Sequence, residues 1–249
     1  IAMVLSVSIS ATLSAEETGT LRMKFVTKAD TTANKQLKPT VDQAFCSLKP
    51  IPDEAVIVNP KTGGLKNVII YAYTGRRGMK LPEMDLKAET VELANEACRF
   101  EPRVLIAKVG DTIKVTNPDK IGHNANFSFF NNDAVNRLIP AGGFIEVVPE
   151  ESEPAPIAVA CNIHPWMKAQ VLVLDHPFAA VSNEDGMLEI KGLPVGTAIF
   201  RANHDVGSLK EVIIDGEETS WRSSRFEIEI KPGMNDMGTI EVPASAFDN

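Results

Sequence analysis

No part of this sequence is apolar for long enough to be a comfortable membrane span. The front reads I-A-M-V-L-S-V-S-I-S-A-T-L-S-A-E-E, short of the about 20 residues that a spanning helix needs. A basic excess is also missing. Lys and Arg number 25 against 33 Asp and Glu, a net charge of −8, so nucleic acid is excluded as an expected partner. No C-x-x-C-H occurs, which excludes covalent haem, and no G-x-x-x-x-G-K-[ST], G-x-S-x-G or H-E-x-x-H occurs either. Histidine is scarce, with four in 249 residues, and cysteine numbers three.

Apolar residues make up 44% of the chain, enough for a real core in one large domain or two modest ones. The apolar front, followed by small residues and then acids, reads as the remnant of a secretory signal over residues 1–18, with cleavage near Ala15. A buried first strand is the other reading. The mature protein is then expected to be periplasmic or secreted, without a membrane span. In an oxidising compartment three cysteines suggest one disulfide and one thiol with another task.

The patterns are those of strands. Short apolar or alternating runs occur at Leu21–Val26, Asn67–Tyr73, Val104–Lys108, Thr112–Thr116, Phe144–Val148 and Val171–Leu174. They recur at Met187–Lys191, Ala198–Ala202, Glu211–Ile214 and Arg225–Ile230, punctuated by Gly, Pro, Asn and Asp. Helical turns are expected only within Val41–Phe45, Leu86–Glu96 and Asn132–Leu138. The expected fold class is all-β, with at least two sandwich-like units.

The chemistry concentrates in C-N-I-H-P-W-M, residues 161–167. Cys161, His164 and Met167 put a thiol, an imidazole and a thioether on one short loop that Pro165 helps to turn. One further imidazole completes a trigonal His₂Cys set with a weak axial Met, the donor set of blue copper. That imidazole must come from elsewhere, from His123, His176 or His204; His123 lies where Gly110-Asp111, a strand, a polar loop and then His123-Asn124 lead into the next strand. Zinc on Cys161, His123 and His164 is an alternative, as is a loop that holds no metal.

These two stretches resemble the cupredoxin family, in particular its amicyanin-like members with a short Cys-x-x-His-Pro-aromatic-Met loop. The resemblance runs over about residues 89–175 and begins with a strand pair, Thr90–Phe100, and E-P-R-V-L-I-A-K-V-G-D. It implies a Greek-key β-sandwich over residues 86–175 and one type 1 copper held by His123, Cys161, His164 and Met167. It also implies that Asn124 ties the two ligand loops together and aims its amide at the thiolate. His164 is expected to present an exposed edge for electrons, with Pro165 and Trp166 as a docking patch. The segment P-I-A-V-A-C, Asn162 and Ala169 depart from the family pattern and bear on tuning rather than on binding. Phe127, Phe129 and Phe130 are expected in the core.

A second resemblance lies outside this unit. D-G-M-L-E-I-K-G-L-P-V-G-T-A-I-F, residues 185–200, is similar to the carboxypeptidase regulatory-like, or transthyretin-like, β-sandwich. Its opening strands are found at the other end of the chain, in G-T-L-R-M-K-F-V and G-G-L-K-N-V-I-I-Y-A-Y. The smaller sandwich is therefore expected to be split over residues 19–80 and 176–249, with the copper unit inserted. A simple tandem is the alternative. Cys46 and Cys98 are then expected to pair and pin the front segment to the copper unit, which closes a loop that the chain-entropy model values at about 3–4 kcal/mol. Glu150, Glu151 and Glu153 read as a solvated loop, and His176 and His204 as surface residues.

The function implied is that of a single-electron carrier, not an enzyme, since four His cannot furnish the clusters of a multicopper oxidase. Its partners would be redox proteins such as a c-type cytochrome or a dehydrogenase. The alternative is a non-redox copper-binding, adhesion or scaffold module of the cell envelope.

Overall fold

A computed structural model describes residues 17–248, so the apolar run read as an export signal lies outside the described residues. The fold is all-β. Thr18–Thr27 shows how the pattern folds: Leu21, Met23 and Phe25 turn to a core while Arg22 and Lys24 point away, as a period of two requires.

Four larger sheets enclose two separate cores. One five-stranded sheet runs Met187–Pro194, Thr18–Thr27, Gly233–Val242, Glu211–Ile214 and Glu217–Ser220. It shares a core with a four-stranded sheet of Ala179–Val181, Ile69–Ala72, Gly196–Asn203 and Arg225–Ile230. Phe25, Leu65, Phe200 and Ile240 fill the space between them. Early and late parts of the chain alternate here, because Ile69–Ala72 pairs with Ala179–Val181 on one side and Gly196–Asn203 on the other. The Asp185-Gly186 turn is tight against this sheet. Gly186 has φ +77°, and a Cβ there would lie 1.9 Å from the Phe25 carbonyl oxygen, so only glycine fits.

The other two sheets come from one continuous stretch. Val135–Ile139, His123–Phe127, Ile157–Ala160, Lys168–Leu174 and Val104–Lys108 form the first. Phe144–Val147, Thr112–Thr116, Thr90–Glu96 and Arg99–Glu101 form the second. Leu93, Phe100, Ile113, Phe127, Val159 and Val171 pack between them. Lys168–Leu174 joins the two units: Val171 and Val173 face this core, whereas Leu172 and Leu174 pack with Ile69 and Tyr71 of the other unit. Burial on both faces explains why V-L-V-L is continuously apolar. Arg103 pairs with Asp205 across the same junction.

Residues 28–66 form a strap with little regular structure. It holds two two-residue strands, Gln36–Leu37 and Ile51–Pro52, and one short helix, Gln43–Cys46. Leu37, Phe45 and Ile51 pack on the second core. A Cys46–Cys98 disulfide with Cα atoms 5.6 Å apart and an Arg99–Glu54 ion pair at 2.7 Å tie it down.

Several expectations need correction. Leu86–Glu96 and Asn132–Leu138 hold no helix; Thr90–Glu96 and Val135–Ile139 are strands, recruited by pairing with Thr112–Thr116 and His123–Phe127. Glu153 is 4% exposed, not solvated. Its carboxylate accepts from the amides of Phe130 and Asn131 and from the Asn132 side chain, which offsets the cost of burying a charge. Phe130 is 70% exposed, whereas Phe127 is in the core with Phe129 stacked on it. His176 and His204 are buried, not on the surface. His176 Nε2 lies 3.1 Å from the Ala72 carbonyl oxygen, and His204 Nδ1 accepts from the Gly207 amide at 3.2 Å.

Two predictions follow from this packing. Burial pushes His204 down to about 4, so the folded protein keeps it neutral while the unfolded chain protonates it below about 6.5. Its contribution is therefore complete above about pH 6.5 and is lost as pH falls toward 4, by about 3 kcal/mol in all. Urea denaturation across this range should show that slope, and His204→Asn should flatten it. Leu172→Ala, at the junction of the two units, should cost about 2–5 kcal/mol in the same assay.

Candidate metal centre

The site forms where two loops and one tight turn of the second unit meet the strap. Asn117 organises the first loop. Its buried side-chain amide donates to the carbonyls of Ile121, Ile139 and Pro140 at 2.9, 2.9 and 3.1 Å. That clamp sets up the loop that leads to His123, the first residue of His123–Phe127. The other loop turns back on itself at the end of Ile157–Ala160. The Cys161 amide donates to the Met167 carbonyl at 3.2 Å, and the Met167 amide donates to the His164 carbonyl at 2.9 Å.

His123, Cys161 and His164 are brought together. Their donor atoms all lie within 4.8 Å of one another, and all three residues are buried. His123 Nδ1 is 2.9 Å from His164 Nδ1, and Cys161 Sγ is 3.6 Å from His164 Nδ1. Met167 is 1% exposed and packs in the same apolar cluster as Cys161. Pro165 is exposed, while Trp166 is half-buried and donates from Nε1 to the Cys98 carbonyl at 3.0 Å.

Asn124 ties the two loops. Its Oδ1 accepts from the amides of Asn162 and Ile163 at 2.7 and 3.3 Å, and its Nδ2 donates to Asn136 at 2.7 Å. Its own amide points at Cys161 Sγ, 3.5 Å away. Burial alone would raise the Cys161 thiol, but hydrogen bonds from His123 and from the Asn124 amide bring it below its ordinary value.

Two carboxylates complete the surroundings, and neither was anticipated from the sequence. Asp119 Oδ2 is 3.0 Å from His123 Nε2. The same carboxylate accepts from the Ala97 and Cys98 amides, both at 2.8 Å. Those two residues form the turn between Thr90–Glu96 and Arg99–Glu101 with φ of 52° and 56°, a left-handed pair that non-glycine residues rarely adopt. Burial would raise Asp119, yet the bonds from His123 and these amides hold it below the carboxylate range. Burial likewise opposes charge on His123, but Asp119 and Cys161 outweigh it and raise that imidazole.

Asp42, from the strap, is the second carboxylate. Its Oδ2 is 3.0 Å from His164 Nε2. The expected exposed edge of His164 is therefore absent: the ring is 0% exposed, covered by Asp42 and by Trp166, whose ring centroid is 5.2 Å away. Burial and the neighbouring His123 together lower His164 from its usual value, with Asp42 opposing them.

The donor set fits a cation. A carboxylate on each Nε2 makes both of those nitrogens proton donors. Both Nδ1 atoms thereby turn inward and lie 2.9 Å apart beside a sulfur. A positive charge between them, a proton or a metal ion in its place, satisfies the two nitrogens together. Metal–nitrogen bonds of about 2.0–2.1 Å and metal–thiolate bonds of about 2.3 Å let one ion reach donors at these separations. The soft sulfur and two imidazoles suit copper or zinc, and among the described residues the cluster at these three donors includes no carboxylate to suit magnesium or calcium.

No family model matches the chain, and no curated protein matches it. It is similar to part of several solved structures. A methionine-to-alanine variant of amicyanin in its Cu(I) form is 21% identical, with a TM-score of 0.31 over 34% of this chain and 81% of that one. A purple cupredoxin from Nitrosopumilus maritimus is 26% identical, with a TM-score of 0.28 over 33% of this chain and 97% of that one. A copper-containing nitrite reductase from Thermus scotoductus SA-01 is 20% identical, with a TM-score of 0.31 over 41% of this chain and 25% of that one.

Asn124→Ala should leave the Asn162 and Ile163 amides without their acceptor and cost about 1–3 kcal/mol. Thermal denaturation of the metal-free protein would measure it.

Proposed function

We propose that this chain is an exported cupredoxin-type electron carrier, with one type 1 copper held by His123 Nδ1, His164 Nδ1, Cys161 Sγ and, as a weak axial donor, Met167. The observation that supports this most directly is the pair of inward-facing Nδ1 atoms beside the Cys161 sulfur. A copper ion there supplies a one-electron couple between Cu(I) and Cu(II). The chain's own residues keep the donor positions the same in both states. Asn117 and Asn124 clamp the loops, Asp119 fixes the ring of His123, and the apolar shell excludes water. The Asn124 amide draws charge from the sulfur and so favours the reduced state.

In this reading the partner is a redox protein, such as a c-type cytochrome or a dehydrogenase, that docks at Pro165 and Trp166. The Cys46–Cys98 disulfide supports an oxidising, periplasmic or extracellular location. The outer sandwich, split around the copper unit and of the carboxypeptidase regulatory-like kind, then serves as a mount. We do not assign an enzymatic activity, since His176 and His204, the remaining histidines, lie outside the cluster. The buried edge of His164 favours a second reading, a non-redox copper-binding or scaffold module of the cell envelope.

Copper titration separates the two. The carrier should turn intensely blue on addition of Cu(II) and bleach with ascorbate, and Cys161→Ser should abolish the colour. A copper-loaded protein that stays colourless would favour the second reading.

A further inference from the structure

The contact between Asp42 and His164 is long-range: 122 residues separate the partners. It is made at local expense. Asp42 occupies the N-cap of Gln43–Cys46, where an aspartate normally accepts from the first free amides of a helix. Here it makes no side-chain cap bond and adopts φ 48°, ψ 37°, a left-handed conformation disfavoured for a residue with a Cβ. Its carboxylate is directed instead to the Nε2 of a wholly buried imidazole. Four residues on, Cys46 is bonded to Cys98. The Cys98 amide donates to Asp119, the carboxylate on the other imidazole, and the Cys98 carbonyl accepts from Trp166, which covers His164. The disulfide thus joins the supports of both rings.

We propose that Asp42 is a positioning residue of the metal centre: a carboxylate carried by the disulfide-tethered strap holds His164 with Nδ1 turned inward and closes the outer edge of that ring. The inference rests on the copper reading for its redox consequences but not for its geometry. An anionic partner on the far nitrogen makes an imidazole a better donor and favours the more highly charged metal ion. Asp42 therefore stabilises Cu(II) relative to Cu(I).

Two measurements on the wild type and three variants decide this. The variants are Asp42→Asn, which keeps an acceptor and the shape but removes the charge, and Asp42→Ala, which removes both. Asp30→Asn, an exposed acid in the same strap, is the control. In the metal-free protein, ¹⁵N-edited imidazole spectra should show His164 with its proton on Nε2 and slow exchange of that proton. Asp42→Ala should mix the tautomers and speed the exchange at least about tenfold, while Asp42→Asn keeps the tautomer. In the copper-loaded protein, both Asp42 variants should raise the reduction potential and weaken Cu(II) binding about tenfold, with Asp30→Asn unchanged. Unaltered His164 tautomer and exchange in Asp42→Ala, or an unaltered potential in both Asp42 variants, overturns the proposal. A wild-type chain that takes up no copper overturns the metal reading instead, and the imidazole spectra still decide Asp42.

Discussion

Two imidazole nitrogens that face each other across 2.9 Å, each with its opposite nitrogen given to a carboxylate, do not rest together by themselves. In a dry interior the two inward nitrogens need a positive charge between them, a proton or a metal ion in its place. Much of the second unit serves to hold that geometry. The Asn117 clamp, the strained Ala97–Cys98 turn and the Asn124 bridge are spent on it rather than on burying apolar area. Local costs of this kind persist where the surrounding structure enforces them and where function needs them.

The outer unit and the strap contribute differently. The outer unit meets the second one through Leu172 and Leu174, on the reverse face of the strand that follows the Cys161 loop. The strap meets it at the site itself. A charge brought to His164 by a separate segment can be varied without altering either ligand loop, a freedom that a carboxylate such as Asp119, four residues from its imidazole, does not offer.

Legibility in the sequence followed the range of each interaction. Cys161, His164 and Met167 lie within seven residues and could be marked from local pattern, whereas His123 was marked only through the resemblance of its stretch to cupredoxins. The strands Val104–Lys108, Thr112–Thr116 and Arg225–Ile230 were equally plain, since alternation and punctuation are local. Residues 86–96 contain Ala, Glu, Leu and Lys, all good helix formers. Pairing with Thr112–Thr116 overrode that preference. Asp42 left no trace, because nothing local links an acid in an irregular strap to a histidine 122 residues away. Asp119 stood nearer, but an acid in N-P-D-K reads as a turn residue until the Ala97 and Cys98 amides are seen to converge on it. Glu153 was misread for the same reason, since its amide partners come from about 20 residues upstream.

The pairing of the first strand has a consequence for synthesis. Thr18–Thr27 lies parallel to Gly233–Val242 and antiparallel to Met187–Pro194, so it finds neither neighbour until most of the chain has been made. The stretch from Thr90 to Leu174, whose strands pair only among themselves, is free to condense earlier. Contacts so distant in sequence close slowly. Until Met187–Pro194 and Gly233–Val242 are in place, Thr18–Thr27 is an alternating strand with both backbone edges unpaired, the kind of segment that invites pairing with other chains.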